Sequence, residues 1–262
     1  MKNDKISIIV VSLNTKIDFL KTLASVKKQT YNNYEIIVID GDSKDGTKKE
    51  ILNKKNLISK YIIEKDNGIY HAMNKGIKIS SGNWIIFMNS GDIFFNKNVL
   101  KDFDSEKFTK FDIIYGDTVV KTNEFMYLVT SNRFNNNTLF MPFCHQSVFV
   151  KSKILKKRKF SLNYKFSSDF DFFLFCYLNK KRFKRINKII SKVKSGGLAD
   201  RNRQKVINEN IDIISKNGNK RLFYSFYFIK IIQYFKDLIK MIFPKIIQRF
   251  ILKIKYQKYL MD

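Results

Sequence analysis

Glu64-Lys-Asp-Asn-Gly-Ile-Tyr-His-Ala-Met-Asn-Lys-Gly76 is followed, after a short gap, by Trp84-Ile-Ile-Phe-Met-Asn-Ser-Gly-Asp92. The first stretch predicts an acidic, glycine-containing loop and then a helix over Ile69–Ile79. The second predicts a buried strand over Trp84–Met88 that ends in a polar turn. Open α/β sheets hold their ligands at the carboxyl ends of parallel strands. A carboxylate in that turn could therefore hold a divalent cation against a diphosphate.

The residues before this region alternate between predicted strands and helices. The β-branched runs Ile6–Ser12 and Glu35–Asp40 are typical of strands buried on both faces, and Tyr61–Glu64 predicts a short third strand. Residues 17–29 have apolar side chains near helical spacing. The alternation indicates right-handed crossovers and an α/β fold with a mostly parallel central sheet flanked by helices.

After Asp92 this alternation weakens. Phe111–Asp117 and Thr118–Val120 predict shorter strands, as antiparallel edges, and Phe143–Val150 contains another strand. Asp169–Leu178 is apolar on all sides, which predicts a buried helix.

The chain is strongly basic. Its 262 residues include 50 Lys+Arg and 23 Asp+Glu, a formal net charge of +27, and 44% are hydrophobic, which excludes a disordered chain. This charge indicates a polyanionic partner: nucleic acid, an anionic membrane surface or phosphorylated substrates. Cys144 and Cys176 are too few for a disulfide framework and lack metal-ligand spacing, so we expect reduced thiols. The apolar run Ile6–Val11 is too short for a signal peptide, and we expect a cytoplasmic protein.

The end of the chain is basic and aromatic. Within residues 222–262, Lys alternates with Phe, Tyr and Ile, which suits helices lying in a membrane interface beside anionic headgroups. The longest uncharged run there, residues 222–229, is shorter than the roughly 20 residues that cross a bilayer. Helices packed on the rest of the chain, or a dimer contact, are the alternatives. We expect a catalytic domain over residues 1–200 and a helical extension over residues 201–262.

Two predicted strands end in turns rich in acids. Asp40-Gly-Asp-Ser-Lys-Asp-Gly-Thr47 places three acids and two glycines together, and Asp40 could accept hydrogen bonds from a base or a ribose. The alternative is a turn in which Asp45 to Thr47 cap the next helix. In Asn89-Ser-Gly-Asp92, one carboxylate follows an apolar strand, as a Mg²⁺ site would require; an ordinary polar turn is the alternative.

Further polar residues interrupt apolar segments. Ser167-Ser-Asp-Phe-Asp171 places two carboxylates at the start of a helix, where they could cap it. An acid among hydrophobic residues can also have its pKa moved toward neutrality, which suits a general base. The pair His145-Gln146 breaks an apolar run and is a candidate contact to a ligand or to an acceptor.

Taken together, these motifs resemble the family 2 glycosyltransferases of GT-A fold, among them the bacterial enzymes that build capsules, exopolysaccharides and lipopolysaccharide O-chains. The resemblance covers residues 5–200 and rests on Ser7–Asn14, Asp40–Thr47, Asp66–Gly76 and Asn89–Asp92. Motifs of nicotinamide dehydrogenases, P-loop NTPases and zincins are absent.

The resemblance implies an inverting transfer with roles for named residues. Asp169 would be the catalytic base, and Asp92 would bind Mn²⁺ or Mg²⁺ at the family's D-x-D position, where Asn89 and Gly91 replace acids. Donor binding would involve Ser12, Asn14, Asp40, Asp42, Asp66, Lys75, Asn89 and Ser90, with Asp40 on the base. Residues His145, Gln146 and Asp171 would lie on the acceptor side or support the site.

The partners implied are a nucleotide-diphosphate sugar and a glycan or undecaprenyl-type lipid-linked acceptor, at the inner face of the cell membrane. Two other functions remain open. A relative that binds nucleotide sugar without transferring it is suggested by Asn89 and Gly91. A nucleic-acid binder is suggested by charge alone, without a recognition motif, and we therefore expect no nucleic-acid partner.

Overall fold

The computed structural model describes residues 4–103, 108–134, 140–217, 224, 227–228, 230–235 and 260–261. The strands are β1 (Ile6–Ser12), β2 (Tyr34–Asp40), β3 (Lys60–Ile63), β4 (Trp84–Phe87), β5 (Ile93–Phe94), β6 (Ile113–Lys121), β7 (Met126–Val129), β8 (Val148–Lys151), β9 (Phe183–Lys194) and β10 (Leu260–Met261). The helices are α1 (Lys16–Lys27), α2 (Thr47–Asn53), α3 (Ile69–Ile79), α4 (Val99–Asp102), α5 (Ser152–Lys157), α6 (Ser168–Leu178), α7 (Leu198–Arg201) and α8 (Arg203–Lys216).

All these strands belong to one sheet, whose main path has the order β10-β7-β6-β8-β4-β1-β2-β3. From β4 to β3 the strands are parallel, so that Ser12 of β1 lies beside Asp40 of β2 and Ile9 lies beside Phe87 of β4. The strands β8, β6 and β7 add antiparallel pairs, and β9 runs parallel to β6. The carboxyl ends of β1 to β4 therefore share one edge of the sheet.

Side chains on the two faces of the sheet form two apolar cores. In β1, Ile9 and Val11 belong to the core beneath α3 and α6, and Ile8 and Val10 belong to the core beneath α1. This explains the unbroken apolar run of β1, because neither face of the strand meets water. Helix α3 lies close to β1, since a Cβ on Gly76 would come within 2.6 Å of Ile9 Cγ2.

The predicted α/β fold is confirmed, with differences in the second half of the chain. The two short strands expected over residues 111–120 are one strand, β6. The twelve-residue strand β9 was not predicted, because five of its residues are Lys or Arg and its apolar residues do not alternate regularly. Near its middle, Ile190 and Ser191 are buried on opposite faces of the sheet, while Lys184 and Lys188 remain exposed.

The first part of the predicted helical extension packs on the sheet's helices. Ile207, Ile213 and Ile214 of α8 are buried in the same core as α6. Residues 230–235 are also helical. Most of the predicted membrane-interface segment, residues 222–262, lies outside the described residues, and within the described ones no helix is long and apolar enough to cross a membrane.

Candidate active site

The ends of β1 and β2 are joined by the Asp40 carboxylate. This side chain is fully buried: Oδ2 accepts hydrogen bonds from the hydroxyls of Ser12 and Ser43, both at 2.7 Å, and Oδ1 accepts one from the Ser43 amide at 2.8 Å. Asp40 thereby fixes the turn that follows β2. Its predicted contact with a nucleotide base stays a prediction, and in this structure its oxygens are used internally.

The outer part of this turn faces solvent. Asn14, at φ 52°, is exposed and accepts the Lys44 amide through Oδ1 at 2.7 Å. Asp42, at φ 66°, forms an ion pair with Lys44 at 2.7 Å, and the hydrogen bond from Lys44 holds its pKa below the ordinary value. Asp45 accepts the Thr47 amide, the first of α2, at 3.0 Å, although the N-cap position itself is Gly46.

The loop before α3 reaches the same edge. Asp66 accepts the Gly68 amide at 3.0 Å, and a Cβ built on Gly41 would lie 2.8 Å from Asp66 Oδ2. The absence of a side chain at position 41 is therefore what lets Asp66 sit over the end of β2. Lys75 binds this loop from α3, since its Nζ donates to the Lys65 carbonyl at 2.9 Å and pairs with Glu64 at 3.0 Å.

The turn after β4 carries the remaining predicted donor and metal residues. The Ser90 amide donates to the Val11 carbonyl at 3.0 Å, which holds the turn against the end of β1. Gly91 has φ 102°, a conformation that favours glycine over an acid at this D-x-D position. Among the described residues, Asn89 Oδ1 and Ser90 Oγ are buried without a hydrogen-bond partner.

Asp92, the last residue of this turn, is a buried acid. Its side chain is directed at Gln146, whose Nε2 donates to Oδ2 at 2.9 Å. Burial raises the pKa of Asp92 to about 6, although the hydrogen bond from Gln146 opposes the shift. Desolvation dominates because the hydrogen bond from Gln146 and the nearby charge of His145, which both lower the pKa, are together too weak to offset burial. Asp92 can therefore hold either a proton or a cation near neutral pH.

Both carboxylate oxygens of Asp169, at the start of α6, have hydrogen-bonding partners. Oδ1 accepts the Tyr70 hydroxyl at 2.8 Å and the Phe170 amide at 2.9 Å, and Oδ2 lies 3.1 Å from His145 Nδ1. Burial alone raises the pKa of Asp169, but the hydrogen bonds and charge of His145, helped by Tyr70, outweigh it, and the pKa lies below the ordinary value. The expected shift toward neutrality is thus wrong for Asp169 and is found instead at Asp92.

A short 3₁₀ turn, His145–Ser147, connects the two acids. His145 contacts Asp169 through Nδ1 and Asn89 Nδ2 through Nε2 at 3.3 Å, and the next residue, Gln146, contacts Asp92. The Cys144 thiol donates to Gln146 Oε1 at 2.7 Å, which fixes the orientation of the Gln146 side chain. Residues from the turn after β4, from the start of α6 and from this 3₁₀ turn therefore form one hydrogen-bonded cluster.

Asp171 is the predicted site residue that lies elsewhere. Its carboxylate is buried against Arg158, the residue that follows α5, with Nη2 to Oδ2 at 2.9 Å. Two residues along a helix differ by about 200° in direction, so Asp171 faces away from Asp169. The acceptor-side alternative for Asp171 is therefore wrong: its carboxylate forms an ion pair that ties α6 to the residue after α5.

Three residues of the site were not predicted from the sequence. Tyr70 lies in the motif Glu64–Gly76, but the sequence predicted no function for it. Its burial, together with the nearby charge of Asp169, raises its pKa well above the ordinary value. Thr22 binds the β4 turn, donating to the Asp92 carbonyl at 2.8 Å and accepting the Gly91 amide at 2.9 Å. Glu209 of α8 accepts the amides of residues 165–167 at 2.8 to 2.9 Å. An acid in a basic segment was the only signal for Glu209.

Residues 7–176 match the family described as Glycosyl transferase family 2. The chain belongs to this family. Its curated relatives include a PGL/p-HBAD biosynthesis glycosyltransferase of Mycobacterium tuberculosis, 28% identical over 66% of this chain and 70% of the relative. Another is the UDP-Glc:alpha-D-GlcNAc-diphosphoundecaprenol beta-1,3-glucosyltransferase WfgD of Escherichia coli, 28% identical over 58% of this chain and 55% of the relative.

The fold of this glycosyltransferase is also found in solved structures. S. aureus TarS (residues 1–349), crystallised in complex with UDP-GlcNAc, superposes with a TM-score of 0.61, covering 85% of this chain and 71% of that one at 18% identity. At this identity the likeness concerns the fold. It agrees with the predicted GT-A architecture.

Proposed function

We propose that this family 2 glycosyltransferase moves a sugar from a nucleoside diphosphate to an acceptor hydroxyl with inversion at C1, in the synthesis of a surface glycan. The observation that carries the proposal is the cluster joining Asp92 to Asp169 through the adjacent residues His145 and Gln146. An acid suited to a cation and an acid suited to proton transfer are thereby held on one sheet edge.

The donor would lie along the carboxyl ends of β1, β2 and β4. The nucleoside would meet Asn14, Asp42 and Asp66 around Gly41, with Ser12 and Asp40 shaping the turn beneath. The sugar would meet the partnerless oxygens of Asn89 and Ser90, since sugar hydroxyls are suitable donors. Lys75 would act by holding the Asp66 loop in place.

Proton transfer is assigned to the pair Asp169–His145. As the acceptor hydroxyl attacks C1 from the face opposite the diphosphate, its proton must be removed, and a positioned base contributes about 10²–10⁴-fold. Tyr70 and the Phe170 amide hold Asp169 ionised and fixed in direction. The fixed geometry also supplies part of the rate through orientation.

A divalent cation fits this site through one carboxylate. Among the described residues no three His, Cys, Asp or Glu side chains group as metal ligands, so the protein share of the site would be Asp92. Mg²⁺ and Mn²⁺ sites of this kind use one or two carboxylates and complete the shell with phosphate oxygens and water. When bound, the cation would supply charge neutralisation for the leaving diphosphate. The pKa of Asp92, about 6, leaves it ionised above that pH and ready to accept a cation.

The acceptor is proposed to be a lipid-linked or polysaccharide glycan at the cytoplasmic membrane face. WfgD, by its name, acts on a sugar carried on diphosphoundecaprenol. The exposed aromatic residues Tyr227, Phe228, Tyr234 and Phe235, near Lys230, suit an anionic membrane surface. Residues 201–262 would then be the extension that keeps the enzyme beside its acceptor.

A panel of sugar nucleotides tests the proposal. UDP-glucose, UDP-GlcNAc, GDP-mannose and dTDP-rhamnose are added singly, with and without Mn²⁺. The unfolding temperature is recorded, and so is the release of nucleoside diphosphate when diphosphoundecaprenol-linked GlcNAc is supplied as the acceptor. The true donor should raise the unfolding temperature, because ligands stabilise the state they bind. If a donor binds but no nucleoside diphosphate is released with any acceptor, including free glycans, the protein is a relative that binds nucleotide sugar without transferring it. Asn89 and Gly91, which stand where the family has acids, are the reason for testing this alternative. The proposal is refuted if no donor of the panel binds and no nucleoside diphosphate is released.

A further inference from the structure

The segment that leads into α6 is held by Glu209 of α8. Residues 161–167 form neither helix nor strand, so regular secondary structure does not satisfy their backbone amides. Glu209 Oε1 accepts the Lys165 amide at 2.9 Å, and Oε2 accepts the amides of Phe166 and Ser167 at 2.9 and 2.8 Å. Hydrogen bonds to an ionised carboxylate are roughly twice as strong as those between neutral groups. Glu209 therefore fixes the backbone immediately before α6.

Helix α6 depends on this contact because its start has no side-chain cap of its own. Ser167 is the N-cap residue, but its hydroxyl makes no capping hydrogen bond and instead donates to the Val206 carbonyl of α8 at 3.3 Å. An N-cap side chain ordinarily fixes the first turn of a helix. Here two groups of α8, the Glu209 carboxylate and the Val206 carbonyl, hold the residue that precedes it. Asp169 is the second residue of α6, so its position follows from theirs.

Tyr70 connects the same backbone to Asp169. Its hydroxyl lies 2.8 Å from Asp169 Oδ1 and 3.1 Å from the Phe166 carbonyl. Phe166 is thus held on both sides, through its amide by Glu209 and through its carbonyl by Tyr70. Burial is the main cause of the raised pKa of Tyr70, and the charges of Asp169 and Glu209 add to it. A shift of Phe166 away from Glu209 would therefore also move the hydroxyl that binds Asp169.

We propose that Glu209 is a positioning residue for the transfer reaction. It holds residues 165–167 so that Asp169 meets the acceptor hydroxyl as that hydroxyl attacks C1 of the donor sugar. The inference rests on the proposed function, in which Asp169 takes part in removing the hydroxyl proton. Glu209 acts through the backbone before α6 and through Tyr70. Helix α8, expected from the sequence to belong to an extension, is then part of the catalytic unit.

Two substitutions at position 209 test this role. Glu209→Gln keeps the length of the side chain but replaces one acceptor oxygen by an NH₂ group, which cannot accept a backbone amide. Glu209→Asp keeps the charge and both oxygens on a shorter side chain. The kcat and the donor KM are measured from nucleoside diphosphate release with UDP-GlcNAc or whichever panel donor raises the unfolding temperature. Urea unfolding gives the stability of each variant at the same temperature.

The expected result is a loss in kcat without a loss of donor binding. Glu209→Gln should lower kcat about tenfold or more, since a misplacement of about 1 Å at the reacting atoms costs roughly 100-fold. Its donor KM and donor affinity should stay within about twofold of wild type, because the proposed donor residues lie at the ends of β1, β2 and β4. Glu209→Asp should retain more of the kcat than Glu209→Gln. A wild-type kcat in Glu209→Gln would overturn the inference and leave the proposed transfer intact.

Asp212→Asn is the matched control on the same helix. Asp212 lies one turn further along α8, where it accepts the Tyr164 hydroxyl at 2.9 Å and pairs with Lys216 at 2.6 Å. Its loss should weaken the packing of α8 and leave kcat at the wild-type value. An equal loss of kcat in Asp212→Asn and Glu209→Gln would show that α8 acts only through stability, which would overturn the positioning role.

A double-mutant cycle with Tyr70→Phe tests the route from Glu209 to Asp169. Groups in one hydrogen-bond network have coupled effects, so Glu209→Gln should reduce kcat by a smaller factor in Tyr70→Phe than in wild type. Equal factors in the two backgrounds would contradict this route. If Glu209→Gln does not fold, Glu209→Asp takes its place in the cycle. A wild-type enzyme that neither binds nor turns over any panel donor refutes the proposed function, and with it the role of Glu209.

Discussion

Replacing Asp92 by Asn should stabilise the cation-free protein while abolishing transfer. Asp92 is 7% exposed, and burial raises its pKa to about 6 from the 3.8 of an ordinary Asp. The folded protein therefore binds a proton at this group more readily than the unfolded chain does. Asn keeps an oxygen that can accept the hydrogen bond from Gln146 and carries no charge.

The sign and size follow from this shift. Between pH 3.8 and about 6 the folded state holds more protons at Asp92 than the unfolded state, so stability falls as the pH rises through this range. A shift of about two pKa units corresponds to about 3 kcal/mol of destabilisation of the folded wild type. This destabilisation is fully present above pH 6 and absent below pH 3.8. An imperfectly paired amide would cost Asp92→Asn about 1 kcal/mol at every pH, which leaves the pH dependence unchanged.

Urea unfolding in EDTA at a series of pH values from 4 to 8 measures this difference. The free energy of unfolding of Asp92→Asn should gain about 3 kcal/mol relative to wild type over the series. Asp102→Asn is the control, because Asp102 is 39% exposed and pairs with Lys188 in a contact of 3.3 Å. A constant gap between wild type and Asp92→Asn across the series would refute the assignment of the raised pKa to Asp92.

Two further changes have defined outcomes. Glu35→Gln should lower the free energy of unfolding at pH 7 by roughly 3 kcal/mol, because burial, which raises the pKa of Glu35, is outweighed by hydrogen bonds from Ser7 and Ser81, which lower it to about 2. This stabilisation is present above pH 4.5 and is lost as the pH falls toward 2, so an undiminished effect at pH 2.5 in urea titrations would contradict it. Gly41→Ala should raise the donor KM roughly tenfold, about 1.4 kcal/mol, with a smaller change in kcat, because the new Cβ displaces Asp66; steady-state kinetics with an unchanged KM would exclude a donor contact at Asp66.

Local patterns were enough to predict the first half of the fold. β1 and α3 have the bounds expected from the β-branched run at Ile6–Ser12 and the helical spacing at Ile69–Ile79. Each pattern is set by burial along a single element, which is visible in one stretch of sequence. The placing of Asp40 and Asp92 at strand ends followed from the same patterns and from the parallel order of the strands.

The second half depends on contacts between distant residues. β9 is a strand because it pairs with β6, whose central residues are buried, and its lysines are tolerated at the exposed positions. Likewise the partners of Asp169 come from α3 and from the turn after residue 144, which are 99 and 24 residues away along the chain. Hydrogen bonds over such separations leave no periodic signal, so neither the role of Tyr70 nor the lowered pKa of Asp169 could be predicted.

The two acids of the cluster differ because their neighbours on one short turn differ. His145 can bear a positive charge and donates to Asp169, so that acid is ionised well below neutral pH. Gln146 is neutral and donates one hydrogen bond to Asp92, which is insufficient to offset burial. Environments that move two acids in opposite directions are a feature of acid–base sites in enzymes. Here Asp169 is held ionised by its hydrogen-bonding partners, whereas the charge of Asp92 is left to be stabilised by a cation.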